Sequence, residues 1–163
     1  MDVALTMVEH HVWLVGELID RAERHEQDHA PGGAPDGGDE LLRTLLNVLV
    51  GQQEMWLDTV DGKPGSDDSD HTLADLRLRH ADVGQRFLEL ARTVVAEGRA
   101  TERFREGTAD HPDVFTYGGL IAHLLTFGAH LRAQVLSLLT EADRSDLRHG
   151  DPLVFFAQRA SEE

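Results

Sequence analysis

The stretch TLADLRLRHADVGQRFLELARTV, residues 72–94, decides the fold class. Leu73, Leu76, His80, Val83, Phe87, Leu90 and Val94 recur at alternating steps of three and four, which draws one apolar stripe along a helix. Thr72 and Asp75 have the spacing of a capping box, and Gly98 is the stop. The same period extends to both sides. Residues 2–26 set Ala4, Val8, His11, Val15, Leu18 and Ala22 on one stripe, with Asp2, Glu9, Gly16 and Asp20 opposite. A second helix is capped by Asp36 or Asp39 and runs to about Val60. It groups Leu42, Leu45, Leu49 and Trp56 against Arg43, Asn47, Glu54 and Asp58, and Gly62 and Pro64 end it. Thr116 caps a fourth helix to about Glu141, with Leu120, His123, Phe127, His130 and Gln134 along one side.

Between these periods lie breakers. HAPGGAPDGG, residues 29–38, and DGKPGSDDSDH, residues 61–71, read as loops, and residues 99–115 as an irregular connection with a short extended piece around Phe104. Gly150 and Pro152 break the tail, where Leu153, Phe155 and Phe156 should tuck a short last helix against the rest. The fold class read from this pattern is all-α: one domain over residues 1–163, a four-helix up-down bundle with a short C-terminal helix.

Composition narrows the function. A chain of 163 residues buries a sizeable core without staples, and it has no cysteine. Disulfides, zinc–thiolate sites and a cysteine nucleophile are excluded. Fifteen Lys and Arg against thirty Asp and Glu give a formal charge of −15, with Lys63 the one lysine, so nucleic acid and anionic lipid are opposed as partners. Asp2, Glu9 and Glu17 interrupt the N-terminal apolar run, and no stretch of about eighteen apolar residues occurs. A soluble, unprocessed, cytoplasmic protein is expected.

The glycines at 32–38 lack the GK[ST] ending of a phosphate loop, and Asp67, Asp68 and Asp70 lack the glycine and distal glutamate of a calcium loop. No GxSxG, HExxH or HxE…PCxxC pattern is present. The informative residues are the ten histidines. His25, His29, His71, His111 and His149 fall in loops or helix ends and read as solvated, and His10 as half-exposed beside the first stripe. His11, His80, His123 and His130 fall on apolar faces, where burial requires a hydrogen-bond partner or a metal. His123 and His130 are two helical turns, about 10 Å, apart, so a shared ion needs a ligand from another helix, with His11 best placed. The competing reading is a buried imidazole bonded to a carbonyl, Gln52, Glu54 or Tyr117.

HHVWLVGELI (10–19), LLNVLVGQQEMWL (45–57) and above all FTYGGLIAHLLTFGAHLRAQVL (115–136) resemble the DinB superfamily, with its YfiT-like and mycothiol-dependent maleylpyruvate isomerase branches. The resemblance implies a four-helix bundle of DinB/YfiT type, a homodimer, and a pocket in which three ligands hold a divalent metal that activates a thiol such as mycothiol. It places Leu49, Trp56, Tyr117, Phe127, Leu131 and Arg132 around that pocket. The usual fourth-helix pattern HxxHHRGQ reads FGAHLRAQ here, so two ligand positions fall on Phe127 and Leu131 and the second-helix one near Leu49. All three are apolar, while His130, Arg132 and Gln134 match the pattern. Two functions follow from the resemblance and the residues together. One is a metal- and thiol-dependent transferase or isomerase with zinc or nickel on a rebuilt His11, His123 and His130 site, where Arg132 or Tyr117 orients an anionic substrate. The other is a non-catalytic bundle that binds a small apolar ligand or a protein partner.

Overall fold

A computed structural model describes residues 2–29, 37–65, 71–108 and 111–162. Helices α1 (Val3–His29), α2 (Gly37–Asp61) and α3 (Leu73–Ala96) are followed by strands β1 (Arg103–Thr108) and β2 (His111–Thr116). Helices α4 (Tyr117–Leu138), α5 (Glu141–Asp146) and α6 (Pro152–Glu162) complete the chain, with a 3-10 turn at Arg148–Gly150. The chain is therefore mostly helical with a small two-stranded sheet.

The caps read from sequence for α3 and α4 are formed, whereas Asp39, expected as a cap of the second helix, lies inside the first turn of α2. Thr72 Oγ1 accepts from the Asp75 amide at 3.2 Å while Asp75 Oδ2 accepts from the Thr72 amide at 3.3 Å, which closes the capping box of α3. Gly98 takes φ +66° where α3 stops. Thr116 Oγ1 accepts from the Gly119 amide at 3.1 Å and starts α4. Helix α4 ends at Leu138 rather than near Glu141, because Thr140 caps α5 by accepting from the Asp143 amide at 3.2 Å. Helix α1 continues past residue 26 to His29, and α2 begins at Gly37. Asp36 and the acidic run Asp67, Asp68 and Asp70 lie outside the described residues.

The connection expected to be irregular is an antiparallel hairpin, with Arg103 opposite Thr116 and Phe104 opposite Phe115. Its aromatics supply the reason. Phe104 lies 5.2 Å from the Tyr117 ring and Phe115 5.2 Å from Trp56, so one face of the hairpin has apolar surface to cover.

Helix α1 packs on α3 and α4, and α2 packs on the same two, so the sequence neighbours α1 and α2 stand diagonally, as do α3 and α4. One apolar cluster joins Leu14, Leu18, Leu42, Leu46, Leu49, Leu76, Leu131 and Val135, and a second joins Val8, Leu57, Val83, Phe87, Leu120 and Leu124. In α3 the expected stripe is buried except at Leu90, which is half-buried beside a buried Ala91. In α4 the buried line is Leu120, Leu124, Gly128, Leu131, Arg132 and Val135, one step off the expected side. His123 and His130 consequently face outward. Helix α4 is apolar nearly all round, so its period does not fix its phase.

Ion pairs fasten the exposed edges: Arg86 to Asp58 at 2.6 Å and to Asp61 at 2.8 Å, Arg79 to Glu54, Arg77 to Asp20 at 2.9 Å, and Arg159 of α6 to Glu9 at 2.9 Å. In the tail, Phe155 is buried on Trp13 but Leu153 points to solvent, 79 % exposed. Among the described residues no helix is long and apolar enough to cross a membrane.

Candidate functional site

Four buried polar residues, His10, His11, Gln53 and Arg132, gather where α1, α2 and α4 meet, while Asp39, Asp58 and His80 are buried with other partners. Helix α2 presents Leu42, Leu46, Leu49, Val50, Gln53 and Leu57 inward, which is one helical face interrupted by a single amide. Helix α4 brings Gly128 and, one turn later, Arg132 to the same level, and α1 supplies the adjacent pair His10 and His11. His11 has no exposed surface. Its Nε2 lies 2.7 Å from the Gln53 side-chain amide, and its Nδ1 receives Arg132 Nη1. The edge of its ring meets Phe87 of α3 at 5.9 Å. Gly128 makes this approach possible, because a Cβ there would overlap the His11 ring.

The donors fix the protonation pattern. A guanidinium has only N–H groups to offer, so His11 Nδ1 accepts, and the neutral ring carries its hydrogen on Nε2. Nε2–H then donates to Gln53, which must turn its carbonyl oxygen toward the ring. The order Arg132 to His11 to Gln53 is therefore directional. Burial, and next the Arg132 charge, hold His11 well below its ordinary pKa of 6.5. Burial alone draws Arg132 down to about 10, which still leaves it charged at neutral pH. Arg132 Nε is buried without a hydrogen-bond partner.

His10 is 2 % exposed, not half-exposed as its position beside the stripe suggests. The reason is α6, whose Phe155 ring lies 5.6 Å from it and stacks on Trp13, itself 6.0 Å away, so that the two rings cover it together. Burial and then Arg132 lower its pKa, against the backbone of Gly150 and the Asp151 carboxylate, which favour a proton. His80 donates Nε2–H to the Val12 carbonyl at 2.9 Å, and burial lowers its pKa despite that bond and Asp20. It is a hydrogen-bonded core histidine that ties α3 to α1. His25, expected in solvent, pairs with Asp39 at 3.1 Å because α1 runs on past it.

The expected ligands His11, His123 and His130 are not brought together. His123 is exposed, stacked on Phe127 at 5.7 Å and edge-on to Trp56 at 5.8 Å, and His130 is exposed and bonded to Gln134 at 2.7 Å. Among the described residues no group of three His, Asp or Glu side chains is disposed to hold a metal ion. The six residues expected around one pocket also separate. Leu49 and Leu131 are buried in the first apolar cluster with Phe127 against it, whereas Trp56 and Tyr117 pack on the second cluster near the hairpin. Arg132 alone joins the polar interior. Against protein families, curated proteins and solved structures, the chain finds no match.

A surface groove of about 460 Å³ lies between α1, α3 and α6, walled by Val12, Trp13, Leu88 and Phe155, with Arg92 and Arg159 beside it. None of the six expected pocket residues lines it. Its inner wall, the Trp13–Phe155 stack at 4.8 Å, is also the cover over His10. Sequence reasoning missed Gln53 and the groove. An amide at the place of a leucine in the inward face of α2 was the available signal for Gln53. The groove depends on where α6 docks, which no local pattern encodes.

Proposed function

We propose that the chain is a DinB-type four-helix bundle in which the family's metal- and thiol-dependent chemistry has given way to binding of a small, mainly apolar organic molecule. The observation that carries this reading is the set of side chains at the family's ligand positions: Leu49, Phe127 and Leu131 offer no lone pair to a metal, and the nearest histidines on α4 face solvent. The interior instead offers hydrogen-bonding groups set in apolar surroundings, which suits recognition of an organic ligand. A homodimer working in the cytoplasm, away from nucleic acid, completes the proposal, and the charge of −15 supports that last exclusion.

The test is metal analysis of protein purified without a histidine tag, beside a His123→Ala variant. Zinc and nickel well below one per chain, unchanged in the variant, are expected. One ion per chain, lost in His123→Ala, would overturn the proposal and restore the transferase or isomerase reading.

A further inference from the structure

Arginines in this acidic chain are generally matched to carboxylates: Arg21, Arg77, Arg79, Arg86, Arg99, Arg144 and Arg159 each hold at least one. Arg132 is the one arginine buried among the described residues, at 6 % exposure, and no acidic group acts on it. A guanidinium has two forked edges. With Nη1 turned to His11, the Nε–Nη2 edge has no protein partner among the described residues. A buried cation costs free energy unless it is paired, so an unpartnered fork in a core marks a place for an anion.

We propose that the interior binds a small monocarboxylate with an apolar body, its carboxylate on the Nε–Nη2 edge of Arg132 and its body toward the groove between α1, α3 and α6. The proposal rests on the small-molecule reading above. Carboxylate geometry follows from the fork, whose two parallel N–H groups match two carboxylate oxygens. Single charge follows from the charges in reach: Arg132 is the one buried arginine, burial and its charge lower the pKa of His10 and His11, and the Asp151 carboxylate already acts on His10. A dianion would leave a net negative charge in apolar surroundings. The orphan nitrogens of His10, which lies beneath the Trp13–Phe155 stack and feels the Arg132 charge, add a donor that can serve either oxygen. The way in is past the Trp13–Phe155 stack, where Arg92 sets positive charge beside the groove on a molecule that otherwise repels anions, while Arg159 at the same groove is paired with Glu9 at 2.9 Å.

Thermal unfolding in a chelating buffer tests this with benzoate and hexanoate, each against its neutral relative, benzyl alcohol or hexanamide, and against inorganic phosphate and chloride. At about a hundredfold over Kd a carboxylate should raise the midpoint by about 5–10 °C. Arg132→Met should abolish that response and raise the midpoint of the free protein, because the uncompensated charge is gone. Arg132→Lys keeps the charge without the fork and should bind at least about tenfold more weakly, which retains a test if the Met variant does not fold. Carboxylate shifts no larger than those of chloride or phosphate, or a full response in either variant, would overturn the proposal. If the neutral relatives stabilise as well as the acids, the anion site fails and small-molecule binding stands. One metal ion per chain, lost in His123→Ala, would instead sink the function on which the proposal rests.

Discussion

Acidification from pH 7.5 to 5.5 is expected to cost the fold at least about 1.4 kcal/mol, nearly all of it through histidines of the interior. His11 is wholly buried, and burial with the neighbouring Arg132 charge keeps its pKa well below 6.5. The unfolded chain takes up that proton as pH falls through about 6.5, whereas the folded chain does not. Stability from this group is therefore complete above the unfolded value and is lost as pH falls from there toward the folded value. For one histidine neutral throughout the window, linkage gives about 1.4 kcal/mol. His10 and His80 are shifted in the same direction and add smaller amounts, so the total lies between about 1.4 and 4 kcal/mol. The carboxylates that are shifted, Asp61, Asp75, Glu102 and Glu141, are shifted downward and titrate below this window. Urea denaturation at the two pH values measures the loss. His11→Gln, which keeps an acceptor for Arg132 but has no titrating ring, should reduce it by about 1.4 kcal/mol. A wild-type difference under about 0.5 kcal/mol, or a variant with the full difference, would refute the neutral, buried His11 and the directional chain built on it.

Two further perturbations probe the packing around the same place. Gly128→Ala improves helix propensity yet sets a methyl group against the His11 ring, so a net cost of about 1–3 kcal/mol is expected in urea denaturation, and a gain would mean α1 and α4 are farther apart than described. Phe87→Ala empties a fully buried site on α3 and should cost about 3–5 kcal/mol, whereas Leu90→Ala, at a half-buried position, should cost clearly less; equal losses would show that the inward face of α3 is misplaced.

The elements legible in the sequence were those in which several local signals agree. In α3 a regular stripe, a capping box and a terminal glycine specify the same helix, and all are formed. The hairpin at 103–116 was not legible because its strands are short and its aromatics find their partners on helices distant in sequence. Helix α4 was found with its start correct but its phase wrong, since a surface with apolar groups on every side has no polar face to point outward. That phase error decided the site. Turning α4 by one position removes His123 and His130 from the interior and leaves Arg132 there, so the expected histidine ligands give way to a guanidinium. His10 was misjudged for a different reason, because its burial is completed by α6, whose docking depends on long-range contacts.

Arg132 also links the pH dependence to the ligand. Its charge is a cause of the lowered pKa of both His10 and His11, so an anion on its open edge would relieve part of that effect. Linkage then requires the converse: if the histidines take up a proton more easily in the complex, the carboxylate binds more tightly as pH falls toward 5.5. A metal on the same imidazoles behaves in the opposite way, because metal and proton compete for one lone pair and affinity drops with acidification. The sign of the pH dependence of binding thus separates the two chemistries even where both ligands stabilise the fold at neutral pH. Stabilisation by benzoate that holds or grows from pH 7.5 to 5.5, while the free protein weakens, fits a guanidinium beside neutral histidines. Stabilisation that fades over the same window, with the benzoate monoanion present throughout, does not.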